Sequence, residues 1–159
     1  MTTPVTIRIQ SADFDIAAEI AALTKGNTDV GAVVSFSGIC RGGEGKDAIA
    51  AMTLEHYPGM AEAEIGRHVS EAVARWPLTG VTVIHRYGRV VPGDNIVAVL
   101  TASVHREAAF QAAEFLMDYL KTNAPFWKSE ERAGGNGSPE KAWVDAKAHD
   151  DNATARWKK

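Results

Sequence analysis

Positively charged side chains lie at both ends of the segment Ser103–Lys128 (SVHREAAFQAAEFLMDYLKTNAPFWK). His105 and Arg106 open a predicted helix. A helix N-terminus already carries free N–H groups and roughly half a positive charge, so two further cations there are unfavourable unless an anion binds. The pair therefore predicts a site for a phosphate or a carboxylate. The alternative is that His105 only caps the helix.

Lys121 and Lys128 flank the other end, on either side of Asn123-Ala124-Pro125-Phe126-Trp127. An ammonium group in aromatic, partly dry surroundings is easier to deprotonate than one in water, which suits a proton carrier or a nucleophile. A structural role remains open for each lysine. A cation in a last helical turn is favourable for Lys121, and Lys128 could extend over an aromatic ring into solvent. Two lysines beside one aromatic wall favour an active site.

The glycine-rich segment Gly38–Asp47 (GICRGGEGKD) is predicted to be a loop that carries a further cation. Arg41 is either an arm that closes on an anion or a solvated loop residue, and the segment lacks the GxxxxGK[ST] spacing of a nucleotide-binding loop. Cys40 beside it could have a lowered pKa and act as a nucleophile, but an inert thiol is favoured. The histidines at 56, 68 and 85 lack metal-ligand spacing, so we interpret them as structural and predict no metal site.

Composition restricts the class of protein. The chain has 159 residues, 45% hydrophobic and 23% charged, which fits one domain with a sizeable core. A net charge of −3 argues against a dedicated nucleic-acid binder. The single cysteine excludes an intrachain disulfide. The N-terminus does not resemble a signal peptide, and no apolar stretch has the length of a membrane span. We expect a soluble, cytoplasmic protein that contacts neither membrane nor nucleic acid.

The hydrophobic periodicity predicts an α+β fold, with a mostly antiparallel sheet and helices packed on one face. The predicted strands are Val5–Ile9, Gly31–Ser37, Ile49–His56, Val81–Tyr87 and Ile96–Val104. The predicted helices are Asp13–Leu23, Met60–Trp76 and the one opened by His105 and Arg106. Residues 1–159 form one predicted domain, with a flexible loop at 129–141, a possible short strand at 142–146 and a charged tail at 147–159 that could order against a second subunit.

Six runs along the chain identify a family. They are LEHYPGM (Leu54–Met60), RWPL (Arg75–Leu78), VTVIHRYG (Val81–Gly88), PGD (Pro92–Asp94), HR (His105-Arg106) and MDYLKTNAPFWK (Met117–Lys128). Together they resemble the large, catalytic subunit of molybdopterin synthase, from about residue 31 to residue 146. The resemblance implies an α/β hammerhead fold and a homodimer within a heterotetramer. Two small ubiquitin-like carrier subunits would insert their C-terminal Gly-Gly thiocarboxylates and deliver two sulfurs to cyclic pyranopterin monophosphate, forming a dithiolene.

The resemblance also implies roles for individual residues. Lys121 would be the principal acid and base, or a transient covalent group, and Lys128 would stabilise developing oxyanions. The substrate phosphate would be bound by three further cations: Arg41, His105 and Arg106. Three other positions match the family's pocket or its rim: Phe36, Met117 and Lys147. At Lys147 the family pattern leads us to expect an arginine that reaches the neighbouring subunit, and a lysine keeps the charge but loses bidentate phosphate geometry. No cofactor is expected.

Two other functions remain compatible with the residues alone. One is another lysine-dependent, anion-handling transferase that needs no protein partner. The other is a non-catalytic module whose cations bind an acidic protein tail.

Overall fold

The computed structural model describes residues 2–45, 48–123, 125–133, 139–143 and 153–158. The helices are α1 (Ile16–Thr24), α2 (Met60–Arg75) and α3 (Arg106–Thr122). The strands are β1 (Val5–Gln10), β2 (Ala32–Ile39), β3 (Ile49–His56), β4 (Leu78–Arg86), β5 (Gly88–Val90), β6 (Asn95–Ser103), β7 (Phe126–Ala133) and β8 (Pro139–Trp143). The predicted α+β class is confirmed. No helix in the described part of the chain is both long and apolar enough to cross a membrane.

The strands form two four-stranded sheets. The first has the order β1-β4-β6-β2, in which β1 and β4 are parallel and the other neighbours antiparallel. The second, β5-β3-β7-β8, is antiparallel throughout. The central strands of the first sheet, β4 and β6, are almost entirely buried, as their apolar sequences predict. Helix α3, which carries several candidate site residues, packs against these two strands.

Helices cover both faces of the first sheet, so the prediction of a single helical face is wrong for α1. Side chains alternate between faces along a strand. Val81, Val83 and Val99 therefore pack with α2 and α3, while Ile84, Ala98 and Leu100 form a separate cluster with α1. Because β4 and β6 are apolar on both faces, one helical layer would have left half of their surface in water.

Helix α3 lacks a side-chain cap at its start and ends one turn after its buried face. His105 occupies the N-cap position in an extended conformation, and its side chain makes no capping hydrogen bond. The alternative of a capping histidine is therefore wrong. The buried face of α3 runs from Ala108 to Tyr119. At the other end, the Asn123 N–H donates to the carbonyl of Tyr119 at 2.8 Å. These ends leave His105 and Lys121 in solvent.

The predicted loop at 129–141 requires correction, because β7 and β8 occupy most of it. The SEER sequence is polar, but its charges are paired: Arg89 of β5 with Glu131 at 3.0 Å, and Arg132 with Glu130 at 2.8 Å. Strand β7 pairs with β3 on one side and with β8 on the other, so its backbone N–H and C=O groups form hydrogen bonds on both sides. These hydrogen bonds and the cross-strand ion pair stabilise a strand of charged residues. Residues 134–138 and 144–152 lie outside the described residues, as does most of the predicted strand at 142–146.

The C-terminal residues 153–158 dock onto their own chain, although the sequence suggested ordering against a second subunit. The Trp157 ring meets Trp76 and Phe115 edge to face, with centroids 5.7 and 5.5 Å apart. The Arg75 guanidinium donates to the Trp157 carbonyl at 2.8 Å. A single tryptophan supplies enough apolar area to fix a short charged segment.

Candidate active site at the end of helix α3

Lys121 projects from the last turn of α3 and is exposed. Within the described part of the chain it makes no hydrogen bond and no ion pair. The acid best placed to pair with it is Asp118, three residues earlier on the helix. The Asp118 carboxylate is instead bound by Arg156 at 2.7 Å and by the Trp157 indole N–H at 2.5 Å. The ammonium of Lys121 therefore remains available to a ligand.

Lys128 reaches the same region from β7. It is opposite Leu54 in the β3–β7 register, and Phe126 is opposite His56. Because alternate residues of a strand share a face, Lys128 and Phe126 lie side by side. Phe126 stacks on His85 of β4, with ring centroids 3.7 Å apart and planes at 14°. The charges of both Lys128 and Lys121 act on the His85 imidazole and lower its pKa, so both lysines lie within electrostatic range of this ring.

His85 lies beside the candidate site, although the sequence led us to interpret it as structural. Its side chain is 8% exposed. Burial lowers the pKa of the imidazole to about 4, the Arg86 carbonyl opposes this, and the charges of Lys128, Lys121 and His56 add to the lowering. The ring is therefore neutral at pH 7. A signal was present in the sequence, because His85 shares the strand parity of Val81 and Val83 and so had to face α3.

Cys40 is not an activated nucleophile. Its side chain is 2% exposed, and burial raises the pKa of the thiol, with smaller raising effects from Asp94 and Glu130 and a lowering effect from Lys128. The possibility of a lowered thiol pKa is thus wrong. Cys40 instead anchors the loop: its N–H donates to Asp94 at 2.9 Å, and its carbonyl accepts from Gly93 at 2.8 Å.

Arg41 follows this anchor and is exposed. The core cluster that contains Cys40 packs against Met117 and Leu120 of α3, and the charge of Lys128 acts on the Cys40 thiol. Arg41 therefore lies toward the lysine end of the helix. Arg41 and Arg106 make no hydrogen bond or ion pair within the described residues. Each remaining arginine makes at least one: Arg8, Arg67, Arg75, Arg86, Arg89, Arg132 and Arg156. Among the described residues, the two arginines without a hydrogen bond or ion pair are therefore those for which the sequence predicted anion binding.

The His105-Arg106 pair lies at the opposite end of α3. Both side chains are exposed. Fifteen residues separate Arg106 from Lys121, and at 1.5 Å per residue the two positions are about 22 Å apart along the helix axis. The structure therefore brings Lys121, Lys128 and Arg41 together in one region but leaves His105 and Arg106 in another. A small substrate cannot contact both sets within one chain.

Of the remaining predicted site residues, Met117 lies beside Lys121 on α3 and Phe36 lies on an edge strand of the first sheet. Met117, one turn before Lys121, is partly buried and packs against two of the core clusters. Phe36 is 39% exposed on the edge strand β2, opposite Val99, and so lies on the face that α3 covers. Lys147 lies outside the described residues. Within the described residues, no three His, Cys, Asp or Glu side chains are grouped to hold a metal ion.

The arrangement can bind an anion between cations and aromatic rings, and it can move protons through a lysine. Beside the stacked His85 and Phe126, the His56 ring contacts Tyr87 at 4.8 Å and Phe126 at 5.9 Å. These rings provide flat apolar surface for a heterocycle, and the lysines provide the charge.

Comparison with known proteins gives consistent matches. The model of the MoaE protein family matches residues 9–123. The molybdopterin synthase catalytic subunit of Mesorhizobium japonicum is 65% identical, over 96% of this chain and 93% of that protein. The one from Rhizobium meliloti is 58% identical, over 99% and 98%. The solved molybdopterin biosynthesis MoaE protein of Burkholderia ambifaria superposes with a TM-score of 0.79 at 49% identity, covering 96% of this chain and 97% of that one.

Proposed function

The chain belongs to the MoaE protein family, the catalytic subunits of molybdopterin synthase, and we propose that it is the sulfurtransferase of that enzyme. It takes sulfur from the C-terminal thiocarboxylate of a small ubiquitin-like carrier subunit and adds two sulfur atoms to cyclic pyranopterin monophosphate. The product is the dithiolene of molybdopterin, and the reaction takes place in the cytoplasm. The observation that carries this proposal is that Lys121 ends helix α3 without a hydrogen bond or ion pair among the described residues, while Lys128 lies beside the Phe126 ring that stacks on His85.

The residue types suit this chemistry. A thiocarboxylate is already a sulfur nucleophile, so the protein has to hold an anionic pterin, orient the carrier tail and move protons. Lys121, exposed and without a competing acid, is the acid and base or the transient covalent group at the carbons that receive sulfur. Lys128, on the rigid strand β7, stabilises the negative charge that develops on oxygen. The buried thiol of Cys40 takes no part.

The phosphate is bound by Arg41 together with His105 and Arg106. The length of α3 determines which copy of the chain supplies each of these residues. Since Arg106 lies about 22 Å from Lys121 in one chain, the pair completes the site of a second copy. A homodimer with twofold symmetry then contains two equivalent composite sites. Each site accepts the tail of one carrier subunit, which gives a heterotetramer.

Reconstitution tests the proposal. The protein is mixed with a thiocarboxylated carrier subunit and cyclic pyranopterin monophosphate, and the products are analysed by mass spectrometry. We expect each product molecule to carry two sulfur atoms and two carrier C-termini to be converted from thiocarboxylate to carboxylate. Binding of the carrier without sulfur transfer would instead favour the non-catalytic module. Turnover of an acyl or phosphoryl substrate without any carrier would favour the other transferase.

A further inference from the structure

The orientation of the His85 ring follows from one hydrogen bond. Its Nδ1 lies 2.8 Å from the carbonyl oxygen of Arg86. A carbonyl oxygen can only accept, so Nδ1 carries the hydrogen. In a neutral imidazole the second nitrogen is then unprotonated, which makes Nε2 a hydrogen-bond acceptor.

This acceptor is unused within the described part of the chain. Among the described residues, no hydrogen bond to His85 Nε2 is formed. Both nitrogens of His68 are buried and have no hydrogen-bond partner, whereas His85 Nε2 is accessible to solvent. A side chain that is more than nine-tenths buried thus presents one acceptor to solvent. Water can hydrogen-bond to this acceptor in the free protein, and a ligand that displaces the water must replace that hydrogen bond.

The groups around His85 define what this ligand must be. Phe126 covers one face of the ring at 3.7 Å, and the charges of Lys128, Lys121 and His56 act on it. The nearby lysines can only donate hydrogen bonds, so they bind anions. A deprotonated phosphate oxygen carries no hydrogen and cannot satisfy Nε2. A neutral N–H or O–H group of the ligand suits this acceptor, because a cationic donor would bring a further positive charge beside Lys121 and Lys128.

We propose that His85 is a specificity-determining residue that accepts a hydrogen bond from a ring N–H of the pterin, while the neighbouring cations hold its charged part. This inference rests on the proposed function, because it takes the substrate from it. It assigns the two chemistries of the pocket to two parts of one ligand. Arg41 and the His105-Arg106 pair of the second copy bind the phosphate, and His85 with its aromatic neighbours recognises the heterocycle.

Binding measured by calorimetry at pH 7 tests the assignment. The ligands are cyclic pyranopterin monophosphate and inorganic phosphate. His85→Phe keeps a flat ring against Phe126 but removes the acceptor, so we expect pterin affinity to fall about tenfold while phosphate affinity changes less than about twofold. His85→Gln retains an acceptor and should recover part of the loss. The matched control is His68→Phe, which also replaces a buried imidazole, stacked on Tyr119 with centroids 4.4 Å apart. It should leave both affinities unchanged.

The outcomes distinguish a wrong proposed function from a wrong role of His85. If the unmodified protein binds phosphate but not the pterin, the proposed function is wrong. If it binds the pterin and folded His85→Phe binds it equally well, the function stands and the role of His85 is refuted. Should His85→Phe fail to fold, His85→Gln decides: an equal loss of pterin and phosphate affinity would show a structural role only.

Discussion

Asp118 accepts a hydrogen bond from the Trp157 indole N–H at 2.5 Å, one helical turn before Lys121. The same carboxylate oxygen binds the Arg156 guanidinium at 2.7 Å. The C-terminal segment thus occupies the acid that would otherwise be the nearest partner for the proposed catalytic lysine. A surface ion pair contributes little stability, but its presence or absence changes which groups Lys121 can contact.

Releasing Asp118 should therefore inhibit the enzyme. The double variant Arg156→Ala/Trp157→Phe removes both partners and leaves the carboxylate free to pair with Lys121, so we expect kcat to fall by about three- to tenfold. Adding Asp118→Asn should restore most of the rate, because the amide cannot form the ion pair. Single-turnover sulfur transfer measures this. No recovery in the triple variant would mean that the segment acts through stability, which thermal unfolding of the same proteins would detect.

Lys121→Ala should reduce product formation by at least about a hundredfold, since it removes the group that transfers protons to the reacting carbons. Its exposure predicts an unchanged melting temperature. Lys25→Ala is the matched control, because Lys25 is an exposed lysine just past the end of α1. Lys128→Ala should retain measurable activity. Full turnover by Lys121→Ala, with normal carrier binding, would contradict its role.

The sequence predicted the elements well where periodicity was strong. The bounds of β3 and most of α2 were correct, because apolar spacing and the turns at Pro58 and Pro77 define them. The predicted loop at 129–141 was wrong because composition reports the average polarity of a segment. A strand with a buried Ser129 and ion pairs at Glu130 and Glu131 resembles a loop until its partner strands are known.

For the candidate site too, the sequence indicated residue types and spacing but not the contacts between distant strands. Residue types and motif spacing predicted five site residues, namely Lys121, Lys128, Arg41, His105 and Arg106, and their roles stay predictions. Spacing along α3 could in principle have shown that Lys121 and Arg106 lie too far apart for one ligand. His85 was missed because its environment comes from Phe126, which is 41 residues later in the sequence. Contacts between distant strands set the tautomer and the pKa of a histidine, and single-sequence periodicity does not contain them.

Stability should depend on pH through His85. The pKa of its imidazole is about 4 in the folded protein and near 6.5 in the unfolded chain, so the unfolded state binds the proton first as pH falls. Stability is therefore lost between pH 6.5 and 4, by about 3 kcal/mol for this group. Burial also lowers the pKa of His68, which acts in the same direction.

Urea unfolding of the protein and of His85→Phe, from pH 7 to pH 4.5, measures the contribution. The carboxylates titrate in both proteins, so the difference between the two free energies of unfolding isolates His85. We expect this difference to shift by about 2 to 3 kcal/mol in favour of His85→Phe over that range. A constant difference would show that the pKa of the imidazole is the same in the folded and the unfolded states.

The 22 Å separation between the two sets of cations leads to a test of the composite site by complementation. Lys121→Ala and Arg106→Ala should each be nearly inactive as pure proteins. When the two are co-expressed with different affinity tags, random pairing produces mixed dimers in half of the population. In a mixed dimer one site combines an intact Lys121 with an intact Arg106 from the other copy, and the second site carries both lesions. Activity should therefore return to about one quarter of the unmodified level in the whole mixture, and to about one half in purified mixed dimers.

Light scattering checks that the unmodified protein and both variants are dimeric, and that each binds two carrier subunits. A control pair of Lys121→Ala with Lys128→Ala places both lesions at the same end of α3. Both lysines of a site come from one copy, so this mixture should show no activity beyond the average of its two components. Mixed dimers of the first pair that stay inactive while remaining intact by light scattering would show that His105 and Arg106 serve no neighbouring site.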